Sequence, residues 1–408
     1  MKILVSSINF YPDHSGIALY STDLPVFFAE KGQQVSMVTG FSYYPRWVKR
    51  KEDKGVLFRT EEYRGVKVYR GYLYVPRKLT TLKRLLHDLS FIVSALCNFF
   101  RAGRHDVIVV LTPPLLLGLV GLLLKRLWRA KLVVHIQDFQ LEAALSLGML
   151  KENILIRLLA KLDSYIYRKC DLVVPITQGM KEVVVAKGVD EKKTFVVYNW
   201  IDINEAAQKG QKGLFISSYP KLLDKFIIAY AGNLGVKQGV DIILYLAEKT
   251  RHNTDIHYFI IGEGADKERL MNIASHKKIS NITFHPFLNQ EQYYNMLRDI
   301  HVSVITQKSK TGNVFFPSKI LGILAQSKPI LLSADLDSEL AKFISENGCG
   351  LVAAAGDIEG LARHVKYLSR PGAELSKIGK QCFSVVQQFE REKILSAYLL
   401  KIIHLSGN

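Results

Sequence analysis

A chain of 408 residues is long enough for two or three domains with separate cores, and its 48% hydrophobic and 23% charged residues are ordinary for a globular protein. The net charge of +18 is not evenly spread: residues 1–200 carry 30 Lys/Arg against 17 Asp/Glu, residues 201–408 only 25 against 20, so a polyanion (anionic lipid, nucleic acid or a phosphorylated ligand) is expected at the first half. Four scattered cysteines, Cys97, Cys170, Cys349 and Cys382, form no C-x-x-C pair, which argues against a zinc site or disulfide framework and for a reducing cytoplasm.

The first apolar run, "KILVSS", predicts a strand, and the N-terminus has none of the features of a secretory signal. The stretch "SINFYPDHSGIALYSTDL" then carries the chain through a loop with a single glycine, Gly16, into a helix. Further strands are expected at "QVSMVTG", "VKVYRGY", "VIVVL", "KLVVHI", "LVVPIT" and "TFVVYN", with helical periodicity between most of them. Residues 107–124 hold no charge and approach the length of a membrane span, but Pro113 and Pro114 divide them into a buried strand, a turn and a buried helix. Around 203–222 the rhythm breaks, then restarts at "KFIIAYAGNLG", "IHYFIIGEG", "ITFHPF", "VSVIT", "KPILLS" and "CGLVAA". A final helical stretch has the spacing to pack back on the first half. The expectation is an α/β chain of two doubly wound, parallel-sheet domains, 1–204 and 205–384, followed by a C-terminal helix at 385–408.

Open parallel sheets bind ligands beyond the carboxyl ends of their strands. In the second half, "YAGNLGVKQGVDIIL" sets Gly232, Asn233 and Gly235 after a strand and Lys237 at the start of a helix, an arrangement suited to phosphate or to a plain turn with a solvated lysine. "IIGEGADKERL" repeats the pattern with Gly262, Glu263 and Gly264 but lacks the third glycine of a dinucleotide fingerprint. "KTGNVFFPSKILGILAQSKPIL" places Asn313, Ser318 and Lys319 before a helix, where Ser318 also suits an N-cap. In the first half, "LVVHIQDFQLEAALSLG" puts His135, Asp138 and Glu142 just past a strand. There an acid, a base or an acceptor-orienting group would sit, or a hydrogen-bonded core histidine and a helix cap.

Taken in order, "HIQDFQLEAALSLG", "PITQGM", "VVYNWIDI", "YAGNLGVKQGV", "GEG" and "FPSKILGILAQSKPI" resemble the retaining GT-B glycosyltransferases of family 4 type, in particular the bacterial subgroup of the colanic-acid fucosyltransferase. The resemblance spans nearly the whole chain. It implies two facing Rossmann-like domains around a cleft and a nucleotide-diphosphate sugar, GDP-fucose or a UDP-sugar, held mainly by the C-terminal half. It also implies amides of the Gly16 loop and Lys237 on the diphosphate, His135 near the transferred sugar and the "GEG" loop near the nucleotide. Asp138 joins His135 and Lys237 as a candidate catalytic residue. Gly16, Asn233, Gly235, Gly262, Glu263, Gly264, Asn313, Ser318 and Lys319 are candidate donor contacts. Two departures stand out. The family's arginine or asparagine before Lys237 is here Asn233, so one cation is missing, and the paired glutamates of the family fall on Val314 and Gly322.

No cofactor and no metal is expected, since amides, helix ends and Lys237 suffice for the leaving diphosphate and no D-x-D pair is present. Leu82, Leu85, Leu86, Leu89, Ile92, Val93, Leu96 and Phe100 recur at helical spacing beside Arg77, Lys78, Lys83 and Arg84, with "RWVKRK" at 46–51. That pattern fits either a core helix or a helix lying on an anionic membrane, where a polyprenyl-diphosphate-linked saccharide acceptor would be found. The expected location is the inner face of the cell membrane, and nucleic acid is not an expected partner, because the basic residues lack an aromatic platform. A nucleotide-sugar epimerase and a non-catalytic assembly subunit on the same scaffold are the alternatives.

Overall fold

Apolar runs too continuous for a one-sided sheet become strands covered on both faces. The computed structural model describes every residue except 14–15, 45–46, 77–79, 140, 143–144, 146–152, 310–316, 318 and 408; the side chains of 81, 155 and 237 also lie outside the described set. The chain separates into two units. Unit 1 gathers Met1–Leu145, Leu150–Trp200 and Glu392–Asn408, and unit 2 takes Ile201–Arg391.

Unit 1 is built on β1 (Lys2–Ser6), β2 (Gln34–Gly40), β3 (Phe58–Tyr63), β4 (Val66–Gly71), β5 (Val107–Thr112), β6 (Lys131–Ile136) and β7 (Leu172–Pro175). They lie in the order β3-β4-β2-β1-β5-β6-β7. Its core joins Ile3, Val5, Phe27, Phe28, Val109 and Val133 to Leu395, Tyr398 and Ile402 of the C-terminal helix Arg391–Ser406. Each such side chain taken from water contributes roughly 1.5–3 kcal/mol.

Unit 2 is built on β8 (Phe226–Ala231), β9 (Ile256–Ile261), β10 (Ile282–His285), β11 (Val302–Thr306), β12 (Ile330–Ser333) and β13 (Gly350–Ala353), in the order β10-β9-β8-β11-β12-β13. All its pairings are parallel. Strand order reverses at β1, flanked by β2 and β5, and at β8, flanked by β9 and β11. Those reversals open the crevices where doubly wound sheets bind ligands. The Gly16 loop follows β1, and the Gly232–Gly235 loop follows β8.

Three local expectations need correction. The unit 1 sheet is not wholly parallel: β3, "FRTEEY", pairs antiparallel with β4 at the edge. Its charged residues and half-exposed alternation conceal it among apolar runs. The "TFVVYN" stretch is not a full strand. It makes a single bridge, Thr194 to Val173, and two hydrogen bonds to β7, from the Phe195 and Val197 N–H groups. The helix after β8 does not open at Lys237 either: Val236–Gln238 forms one 3-10 turn, and the α-helix begins at Asp241. Residues 107–124 divide as expected into β5 and the helix Leu116–Trp128.

Candidate functional site

In unit 2 the loops after β8 and β9 are joined backbone to backbone. The Gly232 N–H donates to the Ile261 carbonyl at 2.9 Å, the Leu234 N–H to the Glu263 carbonyl at 2.8 Å, and the Asp266 N–H to the Leu234 carbonyl at 2.9 Å. This approach is possible only without side chains. A Cβ on Gly262, whose φ is +147°, would lie 1.9 Å from the Gly232 carbonyl oxygen; one on Gly264 would lie 2.3 Å from that of Leu234. The buried Tyr230 fixes the loop from below, its hydroxyl donating to the Asn233 carbonyl at 2.9 Å.

Lys319, the first residue of the helix Lys319–Ala325, reaches the same strand ends. Its ammonium lies 3.9 Å over the Tyr230 ring and donates to the Ala231 carbonyl at 3.3 Å. Burial pulls its pKa down to about 7. Asn233 is exposed, Gly235 stands before the 3-10 turn that contains Lys237, and Glu263 pairs with Lys267 at 2.7 Å. Beside them the buried Gln238 Oε1 has no hydrogen-bond partner among the described residues. Six of the donor-side candidates, Asn233, Gly235, Gly262, Glu263, Gly264 and Lys319, are thus held around one set of strand ends. Asn313, Ser318 and the Lys237 side chain lie outside the described residues, as does Val314. Gly322 is buried in its helix, where a Cβ would come within 3.7 Å of the Tyr293 and Tyr294 rings.

In unit 1, Gly16 precedes the helix Ile17–Glu30 with φ +62° and ψ −136°, a backbone that side chains other than hydrogen rarely adopt. No side-chain hydrogen bond from Gly16 caps the helix, and the Leu19 N–H turns back to the Gly16 carbonyl at 3.3 Å. Sequence reading missed what steadies this loop: the buried Asp13 accepts hydrogen bonds from Asn9 Nδ2 at 3.0 Å and from Ser42 Oγ, tying it to the chain after β2.

His135 sits near the end of β6 and is fully buried. The Gln137 amide donates to Nε2 at 2.9 Å, so the ring proton is on Nδ1, which has no partner among the described residues. Burial holds its pKa down at about 3 and keeps the ring neutral. The Tyr398 ring of the C-terminal helix packs edge-on against it at 5.5 Å. Nothing local in "LVVHIQD" could have announced that long-range contact. Asp138 follows, half-buried. Glu142 is committed elsewhere: with Asp163 it accepts from Lys187, whose charge is thereby retained despite burial. Among the described residues, no three His, Cys, Asp or Glu side chains converge as a metal would need.

Known proteins share this pattern of loops and sheets. A model of the glycosyl transferase 4-like domain matches residues 15–200, and one of the glycosyl transferases group 1 matches residues 213–382. A protein of Escherichia coli (strain K12) named "Putative colanic acid biosynthesis glycosyl transferase WcaI" is 30% identical over 351 residues, covering 84% of this chain and 85% of that protein. Among solved structures, the sucrose-phosphate synthase of Thermosynechococcus elongatus superposes with a TM-score of 0.76 at 15% identity, covering 99% of this chain and 98% of its own. HepE of Anabaena, solved with UDP and glucose, superposes with a TM-score of 0.73 at 14% identity, covering 99% and 100%. The two domain matches, the WcaI relative and the doubly wound units agree: the chain belongs to the family 4-type glycosyltransferases of the GT-B fold.

Proposed function

We propose that the protein moves a sugar from a nucleotide-diphosphate sugar, GDP-fucose or a UDP-sugar, to a polyprenyl-diphosphate-linked saccharide, with retention of configuration and without a metal, in the synthesis of a surface polysaccharide. The observation that carries the reading is the backbone-to-backbone joint between the Gly232–Gly235 and Gly262–Gly264 loops at the strand-order reversal of unit 2. HepE, a neighbour of the same fold, was solved with UDP and glucose. The relative WcaI is named for colanic acid biosynthesis.

Breaking a glycosyl phosphate leaves charge on the departing diphosphate and an oxocarbenium-like sugar. Loop amides, Lys237 and Lys319 supply positive potential for that charge. The resemblance keeps Gly16, His135 and Asp138 in the proposal as residues near the diphosphate and the transferred sugar. With retention, the acceptor hydroxyl attacks on the side from which the diphosphate leaves.

Lys319 gives this reading a pH signature. The ammonium is charged below its pKa of about 7 and neutral above it, and an anionic donor binds the charged form. Nucleotide-sugar affinity, measured by calorimetry, is therefore expected to fall about eightfold as pH rises from about 6.5 to about 8. Lys319→Met is expected to bind weakly with no such slope. A wild-type affinity flat across that range removes Lys319 from the donor contacts.

The place of action follows from the helix Thr81–Ala102. Its inward face is His87, Phe91, Ala95, Asn98 and Phe99, while Leu82, Leu85, Leu86, Leu89, Val93 and Phe100 are exposed, Leu82 by 67% and Val93 by 66%. Ile92 and Leu96 are half-buried. Among the described residues, Leu82–Ala102 is the one helix long and apolar enough to cross a membrane. The packed neighbour Leu116–Trp128 adds exposed Leu123 and Leu127 together with Lys125 and Arg126. An apolar face this large with basic residues beside it suits the surface of an anionic membrane. Leu86→Glu combined with Val93→Glu is expected to weaken binding to phosphatidylglycerol-rich vesicles by about tenfold or more, since each leucine or valine returned from a membrane to water costs about 1.5–3 kcal/mol. Equal sedimentation of variant and wild type with vesicles would place the contact elsewhere.

A further inference from the structure

One group of side chains in unit 1 has no part in the donor chemistry. After β2, Tyr43 and Trp47 meet the first turns of the helix Thr81–Ala102. The Tyr43, Trp47 and His87 rings form a triangle, with centroids 5.1 Å apart for Tyr43–Trp47, 4.6 Å for Tyr43–His87 and 5.1 Å for Trp47–His87. His87 is 1% exposed. Its Nδ1 lies 2.5 Å from the Tyr74 carbonyl, which can only accept, so Nδ1 carries the proton and Nε2 the lone pair. Nε2 is buried and has no hydrogen-bond partner among the described residues. Burial keeps the ring neutral by lowering its pKa.

Trp47, half-buried over this imidazole, has a φ of +54°. A bulky residue in the left-handed region costs on the order of 1–3 kcal/mol, and such strain collects at sites that bind or switch. An unmet acceptor also has a cost, about 1–3 kcal/mol when a buried polar atom goes unpaired. The two penalties fall on adjoining residues, and one ligand would relieve both. A pyranose offers an apolar C–H face to an aromatic ring and a hydroxyl to an imidazole lone pair. Mixed sets of this kind, aromatic walls with a few aimed polar atoms, are what small-molecule sites are made of. One turn earlier on the helix, Arg84 is exposed and Asp88 lies half-buried next to His87. The exposed leucines of the same turns are those assigned above to the membrane surface.

We propose that the Tyr43–Trp47–His87 triangle seats the sugar nearest the diphosphate of the lipid-linked acceptor, with Arg84 contacting that diphosphate. The assignment rests on the acceptor class proposed above and gives it a location. In the free protein the indole packs at a tilt against the imidazole, with ring centroids 5.1 Å apart. When the saccharide arrives, Trp47 moves from the imidazole onto the sugar face, and Nε2 accepts a sugar hydroxyl.

The test uses the full chain and three probes, glucose, galactose and N-acetylglucosamine linked to farnesyl diphosphate, with binding followed by calorimetry. UDP-glucose and GDP-fucose are titrated in parallel. At least one probe is expected to bind the wild type, and Trp47→Ala and His87→Phe to weaken it about tenfold or more. Trp47→Phe, which keeps a stacking ring, is expected to recover most of the affinity. Donor affinity in these variants should stay within about twofold, because neither side chain is among the donor candidates and the Asp13–Ser42 contact that steadies the Gly16 loop is left intact. Arg84→Gln, on the exposed surface and harmless to folding, should weaken the diphosphate probes while leaving donor affinity unchanged. Binding of no probe by the wild type, or wild-type affinity in Trp47→Ala, His87→Phe and Arg84→Gln, overturns the assignment. Failure of the wild type to bind either nucleotide sugar is a separate result, which sinks the donor reading and not this one.

Discussion

Gly262→Ala is expected to remove measurable nucleotide-sugar binding and to lower the melting temperature of the protein. The new methyl would lie 1.9 Å from the Gly232 carbonyl oxygen, which is backbone and has no flexible end to swing away. The residue also has φ +147°, where a Cβ is strained in any case. Overpacking costs about 1–3 kcal/mol and conformational strain about as much again, so roughly 3 kcal/mol is a fair total. In a unit of this size that corresponds to a fall of roughly 6–12 °C. Gly356→Ala provides the comparison: its φ is +86°, but no atom lies within 4 Å of its Cβ position. It should lose only about 1 kcal/mol and keep its donor affinity. Scanning calorimetry and nucleotide-sugar titration of the two variants check both parts. Normal donor binding by Gly262→Ala would show that the joint between the two loops does not shape the donor site.

The second large effect is expected at Lys237. Its backbone is in the turn Val236–Gln238, directly after the Gly232–Gly235 loop. In the proposed reaction a cation there meets the negative charge that grows on the departing diphosphate. Removing one preorganised partner of a developing charge lowers turnover about a hundredfold in well-studied cases, and more than tenfold is expected for Lys237→Ala. The loss should appear in kcat, with a smaller change in the donor KM, because the contact strengthens as the bond breaks. Near-normal turnover by Lys237→Ala would transfer the role to Lys319 or to the amides alone.

How far the sequence anticipated these residues follows from the physics of each. Central strands such as "VIVVL" and "IHYFII" are apolar throughout because helices cover both faces, and that signal is local and strong. The edge strand "FRTEEY" carries no such signal. "TFVVYN" imitates a strand because its apolar residues pack near β7, although only alternate N–H groups pair with it. Glycines between strand and helix marked the donor loops, but only three-dimensional packing shows that Gly262 and Gly264 touch the other loop's backbone. Lys319 on Tyr230 and His135 against Tyr398 join residues far apart in the chain. No spacing rule reaches such pairs. The apolar spacing of residues 82–100 was visible, but whether it faced the core or the solvent was not, because Phe91 and Phe99 serve the core from the opposite side of the helix.

The central claim is that the protein transfers sugar from nucleotide to lipid. The most direct measurement incubates it with UDP-glucose or GDP-fucose, with and without a bacterial lipid extract. Nucleoside diphosphate release is followed together with the anomeric proton signal of the sugar. The account predicts release that depends on the lipid, matched by sugar in the lipid fraction with the donor's configuration kept. Conversion of the nucleotide sugar without any acceptor, or no nucleoside diphosphate from either donor, would contradict it.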